Sequence, residues 1–536
     1  MADILLHNAR IRTMDPTRPH ADWMLMRAGR ILALGSGSPP DTRHRIDAGG
    51  RLVLPGFQDA HIHLLSGGLD LATAAYLYDV ASEAELIGTL RAHAAAKADM
   101  AMILGSGWQA GVFGDHNLTA RVLDRAATDR PMLIYDSSFH NACLNSRAIE
   151  MAGVQDMADP PNGHIVRDAH GRATGMLHEE VIPLVLDRLP ALTDDDWMTG
   201  LREGQAHANR HGITGVLDAR ITEQEERIYR QAAQDGALTL RVAGTAWVTE
   251  ADTPETAVAR LSAWRAASPG PDFHVHSAKF FMDGVYENRT AANLAAYADA
   301  QGGNAPCMFG ADQTKALMTA LDAARFAIHV HVIGDAAARR AIEGLEAARA
   351  ANGPWPAQHQ LAHLQLVDPA DIARLAGLAT ANIQPLWARF EPPYSDPSLA
   401  MIGEARWPDV YAFRSMIDAG ADWCLSSDWA VSTLNPFEII ETAITRQKRK
   451  DDAPEPPFFA DQALTIEECV QGYTVNAARA CWRDGFTGML RPGFSADAIV
   501  LDRDIFACAA EEISQTQVDL TLFKGREVHR AEGFAG

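Results

Sequence analysis

The chain reads as an α/β protein: a (β/α)8 TIM barrel with a β-sandwich domain built from both termini and a subdomain inserted after barrel strand 1. Three observations predict this. Eight apolar strand candidates alternate with helical stretches between residues 55 and 485, the rhythm of a parallel-sheet domain. Short strands lie at both ends, in residues 1–54 and 486–536, and small β segments at opposite ends of a chain commonly pair into one discontinuous domain. Between residues 65 and 195 the barrel rhythm breaks, which predicts an inserted lid subdomain over the barrel mouth.

Taken in order, the N-terminal strands are Ile4–Leu6, Trp23–Met26 and Arg30–Leu34, separated by turn residues. The first barrel strand ends in Pro55-Gly56-Phe57-Gln58-Asp59-Ala60-His61-Ile62-His63. The next candidates are Ile213–Asp218, Leu238–Ala243, His274–Met282, Phe326–Val332, Gln360–Leu366, Ala379–Ile383 and Trp423–Ser427, completing the eight that a barrel requires. Ala498–Leu501, Val518–Leu522 and Lys524–Val528 close the chain as the C-terminal share of the sandwich.

Bulk composition narrows the function classes. A hydrophobic content of 47% is globular, and no stretch approaches the roughly 20 apolar residues of a membrane span. The first 20 residues carry scattered charge and no signal-peptide core, so a cytoplasmic location is the expectation. The net charge of −22 repels nucleic-acid phosphates and anionic lipid, which leaves a small molecule as the expected partner, with a homodimer as the expected assembly. Six cysteines without CxxC spacing argue against a disulfide scaffold and a thiolate zinc site.

Barrel enzymes place their chemistry at the C-terminal ends of strands. His61 and His63, spaced i, i+2 on a strand, point the same way, and two converging imidazoles make half of a metal site. On the fourth strand, Lys279 and Asp283 share one face while His274 and His276 lie on the other and read as structural. A desolvated Lys279 near other positive charge favours its neutral amine, which can add carbon dioxide to become an anionic carbamate able to bridge two cations. An ordinary lysine at a strand end is the alternative. His331 ends the fifth strand before Gly334-Asp335, with His329 deeper as a packed or supporting histidine. His363 lies near the end of the sixth strand, and Asp428 ends the eighth. Five strand ends carrying His-x-His, Lys, His, His and Asp in this order form a metal-site pattern.

The same phrases carry a resemblance. PGFQDAHIH (55–63), Asn145-Ser146 after His140, KFFMDG followed by Arg289-Thr290-Ala291, HVIGDAA (331–337), LAHLQ (361–365) and SSDWAV (426–431) resemble the amidohydrolase superfamily, and within it amidohydrolase family 3, the group that contains N-substituted formamide deformylase. The resemblance spans almost the whole chain. It implies His61, His63, Lys279, His331 and His363 as metal ligands and places Asp428 in the position of the last-strand aspartate.

The chemistry expected of such a set is hydrolysis. One or two divalent cations (zinc first, iron or manganese as alternatives, with carbon dioxide as the source of a Lys279 carbamate) would activate a water. Asp428 would take the water's proton and deliver it to the leaving nitrogen of an amide-type C–N bond. Substrate contacts are expected of His140 in the inserted segment, of Trp108 as a pocket wall, of Arg289 as a carboxylate anchor and of Gln384 on the pocket floor; for Trp108 and His140 a structural role is the alternative. Rival readings are a non-hydrolytic barrel enzyme (isomerase, lyase or hydratase) on the same metal site, and a metal-binding regulatory protein.

Overall fold

The computed structural model describes residues 3–113, 117–137, 139–160, 162–390, 395–448 and 456–536. Two compact units divide the chain. The first comprises Met1–His63, Gln205–Trp429 and Thr433–Gly536; the second comprises Leu64–Gly204 with Ala430–Ser432.

An eight-stranded parallel sheet forms the centre of the first unit. Its strands, in chain order, are Phe57–Ile62, Ile213–Ile221, Arg241–Trp247, Phe273–Phe281, Ala327–Val332, Gln360–His363, Thr380–Ile383 and Trp423–Leu425, each paired with the next. The eighth strand returns to the first through two backbone hydrogen bonds, Asp428 N to His61 O (2.9 Å) and His63 N to Trp429 O (2.6 Å). Closure therefore runs directly through the residues of interest. Nearly every residue of these strands is buried, as expected of parallel strands covered on both faces.

Several strand boundaries differ from the expected ones, and three of the differences have a local cause. The third strand starts at Arg241 rather than Leu238, because the Thr239 N–H donates to the Gln205 side-chain carbonyl at 2.6 Å, outside the ladder. The sixth ends at His363 rather than Leu366, because His363 (φ +76°) and Leu364 (φ +50°) turn out of extended geometry. The last C-terminal strand is Arg526–Arg530, and Lys524-Gly525, both at positive φ, are the two-residue turn before it.

Both termini build one six-stranded sheet, in the order Arg526–Arg530, Val518–Phe523, Ala498–Leu501, Leu52–Pro55, Arg10–Arg12, His20–Ala21. A four-stranded sheet (Arg30–Gly35, Trp23–Arg27, Ile4–His7, His44–Asp47) shares a core with it, in which Leu6, Met24, Val53, Val500 and Leu522 are buried together. This sandwich is bound to the barrel through a buried ion pair between Arg241 and Asp497 and a hydrogen bond from Thr521 Oγ1 to Asn209 O (2.7 Å), so the two fall in one compact unit.

The second unit is a six-stranded mixed sheet, in the order Gly163–Arg167, Ala173–Glu179, Asn141–Leu144, Met132–Asp136, Ile103–Trp108, Ala74–Tyr76. It extends beyond residue 195 for a steric reason. Gly68 meets Gly200 and Gly204 so closely that a Cβ on Gly68 would lie 2.1 Å from Gly200 O. No helix among the described residues is long and apolar enough to cross a membrane, and all six cysteines are free thiols.

Candidate active site

The C-terminal ends of the barrel strands bring His61, His63, His331, His363, Lys279 and Asp428 into one neighbourhood. Asp428 Oδ1 lies 3.3 Å from His61 Nε2 and 3.3 Å from His63 Nε2, and its Oδ2 lies 3.9 Å from His363 Nδ1. The His363 ring is 4.9 Å from that of His61 and 4.5 Å from that of His331, centroid to centroid. His61, His363 and Asp428 each place a ligand atom within 4.8 Å of the others. Among the described residues, neither His61 Nε2 nor Asp428 Oδ1, both buried, has a well-aligned hydrogen-bond partner. Buried lone pairs crowded together without protons between them are costly unless a cation accepts them, so this donor set fits a divalent metal.

What lies behind each imidazole decides which nitrogen it offers. His61 Nδ1 is 2.8 Å from His329 Nε2, so its Nε2 faces Asp428. His363 Nδ1 is 3.0 Å from Gln384 Oε1. Gln384 in turn donates to Asn382 Oδ1 (3.0 Å) and Ser426 Oγ (2.7 Å). Asn382 donates to Ala60 O and Gln360 Oε1, both at 2.8 Å, and Gln360 donates to Ala480 O at 3.0 Å. Backbone carbonyls can only accept, so they fix the direction of every amide in this chain. Gln384 must present its carbonyl to His363, the His363 proton sits on Nδ1, and Nε2 keeps the lone pair. Gln384, expected on a pocket floor, is buried in this chain of amides with its carbonyl on His363. His331 Nε2 lies 3.2 Å from Gly284 O.

Two carboxylates tie the strand ends together. Asp59 accepts from Ser427 N (3.2 Å) and His61 N (3.2 Å), joining the last strand end to the first, and burial pushes its carboxyl up to about 7. Asp283 accepts from Ile333 N (3.0 Å), Gly334 N (2.8 Å) and Ala292 N (2.9 Å), locking the loops after the fourth and fifth strands. Trp387 stacks on His363 with a centroid separation of 5.3 Å. Sequence reasoning assigned no role to Asn382, Gln360, Asp59 or Trp387. Amides at Gln360, Asn382 and Gln384 inside otherwise apolar strands were the available signal, since a buried amide needs partners.

The electrostatics suit metal binding. Burial, reinforced by the Lys279, His63 and His331 charges, holds the His61 imidazole well below its usual range, so it stays neutral. Burial does the same for His363, with His331 adding to it. Burial alone would raise the Asp428 carboxyl, but the His63 and His363 imidazoles and Lys279 beside it keep it below the usual carboxylate range. Lys279 is fully buried, and desolvation, opposed by Asp428 and aided by Arg220, brings its ammonium down to about 7. Its Nζ lies 4.7 Å from the Phe281 ring centroid.

The remaining expected residues have contacts of their own. Arg289 forms a bidentate pair with Asp299 (2.6 and 3.1 Å) and caps Gly302 O, so its guanidinium edge is already occupied within its own loop. Trp108 is buried in the core of the second unit, edge-on to Phe113 at 6.1 Å. In that same unit His140 Nδ1 pairs with Glu179 Oε2 at 2.7 Å. His276 is packed against Trp482 at 5.4 Å, away from the cluster.

Comparison with known proteins gives the family and the fold. A sequence profile described as "Amidohydrolase family" matches residues 45–529. The chain is 27% identical to the protein LONG AFTER FAR-RED 3 of Arabidopsis thaliana, covering 99% of this chain and 92% of that protein. It is 25% identical to N-substituted formamide deformylase of Arthrobacter pascens, covering 98% of each. Its fold matches the crystal structure of an uncharacterized metal-dependent hydrolase from Pyrococcus horikoshii OT3 with a TM-score of 0.76 at 23% identity, over 95% of this chain and 99% of that one. With the profile spanning the whole barrel and the C-terminal share of the sandwich, the chain belongs to the amidohydrolase family.

Proposed function

We propose that this hydrolase is metal-dependent and cleaves an amide-type carbon–nitrogen bond outside peptides, with an N-substituted formamide or another N-acyl amine as substrate. The observation that carries the reading is the convergence of buried, neutral imidazoles and an ionised Asp428 around the unpaired His61 Nε2. His61, His63, His331 and His363 would hold one or two divalent cations, zinc first and iron or manganese as alternatives, with a Lys279 carbamate as the anionic ligand. A cation bound there polarises the substrate carbonyl and makes water a nucleophile near neutral pH.

The chain's own groups do the rest. Asp428, ionised at neutral pH, accepts the proton of the attacking water as the water oxygen bonds to the carbonyl carbon. The same carboxyl then protonates the nitrogen as the C–N bond breaks, releasing an amine and a carboxylic acid. Gln384 and His329 keep two imidazoles in the orientation this requires. The similarity to N-substituted formamide deformylase supports the choice of formamides as first substrates.

A panel of N-formyl amines, N-acyl amino acids and cyclic imides, read by amine release from the zinc-loaded protein, tests the reading. Amine release from at least one class is expected. Isomerised or dehydrated product without amine would replace it with the non-hydrolytic reading, and no turnover with stoichiometric metal would favour the regulatory one.

A further inference from the structure

Arg220 is unlike most arginines of this acidic chain. It lies near the C-terminal end of the second barrel strand, Ile213–Ile221, half-buried, with its guanidinium stacked 4.3 Å from the Trp247 ring. Among the described residues it has no carboxylate or carbonyl partner. Asp252, which follows Trp247 in the chain, pairs with Arg260 (2.6 and 2.9 Å), and Asp218, two residues before Arg220, accepts from the Tyr229 hydroxyl (2.5 Å). Trp247 sits opposite Lys279 in the ladder between the third and fourth strands and contacts Phe281 edge-on at 6.5 Å. Arg220 thus belongs to the same end of the barrel as the metal-ligand candidates.

A guanidinium carbon held 4.3 Å over an indole centroid uses the ring's electron-rich face and leaves an N–H edge for another partner. That edge carries parallel donors spaced for the two oxygens of a carboxylate. Leaving such a cation half-buried without an anion costs stability, a cost that a ligand's negative charge would offset. We propose that Arg220, held on the Trp247 platform, binds a carboxylate of the substrate, so that the preferred substrates are N-acyl amines carrying an acid group, such as N-acyl amino acids. This rests on the hydrolase reading above and narrows its substrate class.

The test separates the two. Binding of 4-phenylbutanoate and of its neutral counterpart 4-phenylbutan-1-ol to the zinc-loaded full-length protein is measured by calorimetry, for wild type, Arg220→Gln and Arg220→Lys. The inference expects wild type to favour the carboxylate by about 10- to 100-fold, Arg220→Gln to lose that preference and Arg220→Lys to recover part of it. It is overturned if wild type does not distinguish the two compounds, or if Arg220→Gln holds the carboxylate as tightly as wild type, which would place the carboxylate on the metal. In parallel, amine release from an N-acyl amino acid and from its carboxamide gives the ratio of kcat/KM. A ratio that falls toward unity in Arg220→Gln supports the inference, and an unchanged ratio overturns it. An Arg220-dependent carboxylate preference with neither amide cleaved would keep the carboxylate site and refute the hydrolase reading.

Discussion

His329 Nε2 and His61 Nδ1 lie 2.8 Å apart in a fully buried contact, and one of the two nitrogens must carry the proton. If it sits on His61, then His61 Nε2 has a lone pair for a cation. If it sits on His329, the His61 proton moves to Nε2 and points at Asp428 Oδ1, 3.3 Å away. Metal binding therefore selects the first tautomer, and His329 is the group that accepts the proton in it. Replacing His329 by Ala removes that acceptor and should weaken metal affinity about 10- to 100-fold in a chelator-competition titration. His329→Gln, whose carbonyl can occupy the position of Nε2, should retain most of it. Equal affinity in wild type and the Ala variant would show that the contact is packing alone.

Gln384 makes the matching prediction for His363. Gln384→Leu strips His363 Nδ1, Asn382 Oδ1 and Ser426 of a shared partner, all of them buried. Loss of about 1–3 kcal/mol in urea unfolding is expected, together with weaker metal binding. A variant that loses stability but binds metal like wild type would separate the amide chain from the site.

Lys279 sets a pH dependence. Its ordinary value of 10.5 is brought down to about 7, so the free amine is populated from neutral pH upward rather than only in strong alkali. Only the amine adds carbon dioxide, so incorporation of 13C-bicarbonate as a carbamate in the metal-free protein should rise with pH, half-developed near 7. Incorporation that begins only near the ordinary lysine value, or a signal that persists in Lys279→Met, would contradict the assignment. The linkage has a definite sign. Between 7 and 10.5 the unfolded chain binds the Lys279 proton and the folded one does not, so this group's contribution to stability increases as pH rises through that window.

Asp428 is read as a proton carrier. Asp428→Asn should cut turnover by about 10²- to 10⁴-fold while metal content stays near that of wild type. Because Oδ1 lies 3.3 Å from two imidazole nitrogens, loss of metal along with activity would instead make it a ligand.

The barrel was legible because its strands, buried on both faces, read as apolar runs in which a histidine, lysine or aspartate stands out. Their spacing along the chain needed no tertiary knowledge. Which nitrogen His61 or His363 offers was not legible, since His329 and Gln384 reach them only through neighbouring strands of the closed sheet. For the same reason Arg289 looked available until its loop brought Asp299 to it, and Gln384 looked like a floor residue until the amide chain to Ala480 was in place. The start of the third strand was missed because its apolar lead-in, Leu238–Leu240, is held by Gln205 and Asn209 outside the ladder.

The central claim is that a metal held at these strand ends drives amide hydrolysis. It is tested most directly by titrating metal-free protein with zinc while amine release from an N-substituted formamide is followed. The account predicts no release without metal and a rise that saturates at one or two equivalents, with His61→Ala flat throughout. Release at full rate from metal-free protein, or zinc binding at stoichiometry with no release from any amide of the panel, would contradict it.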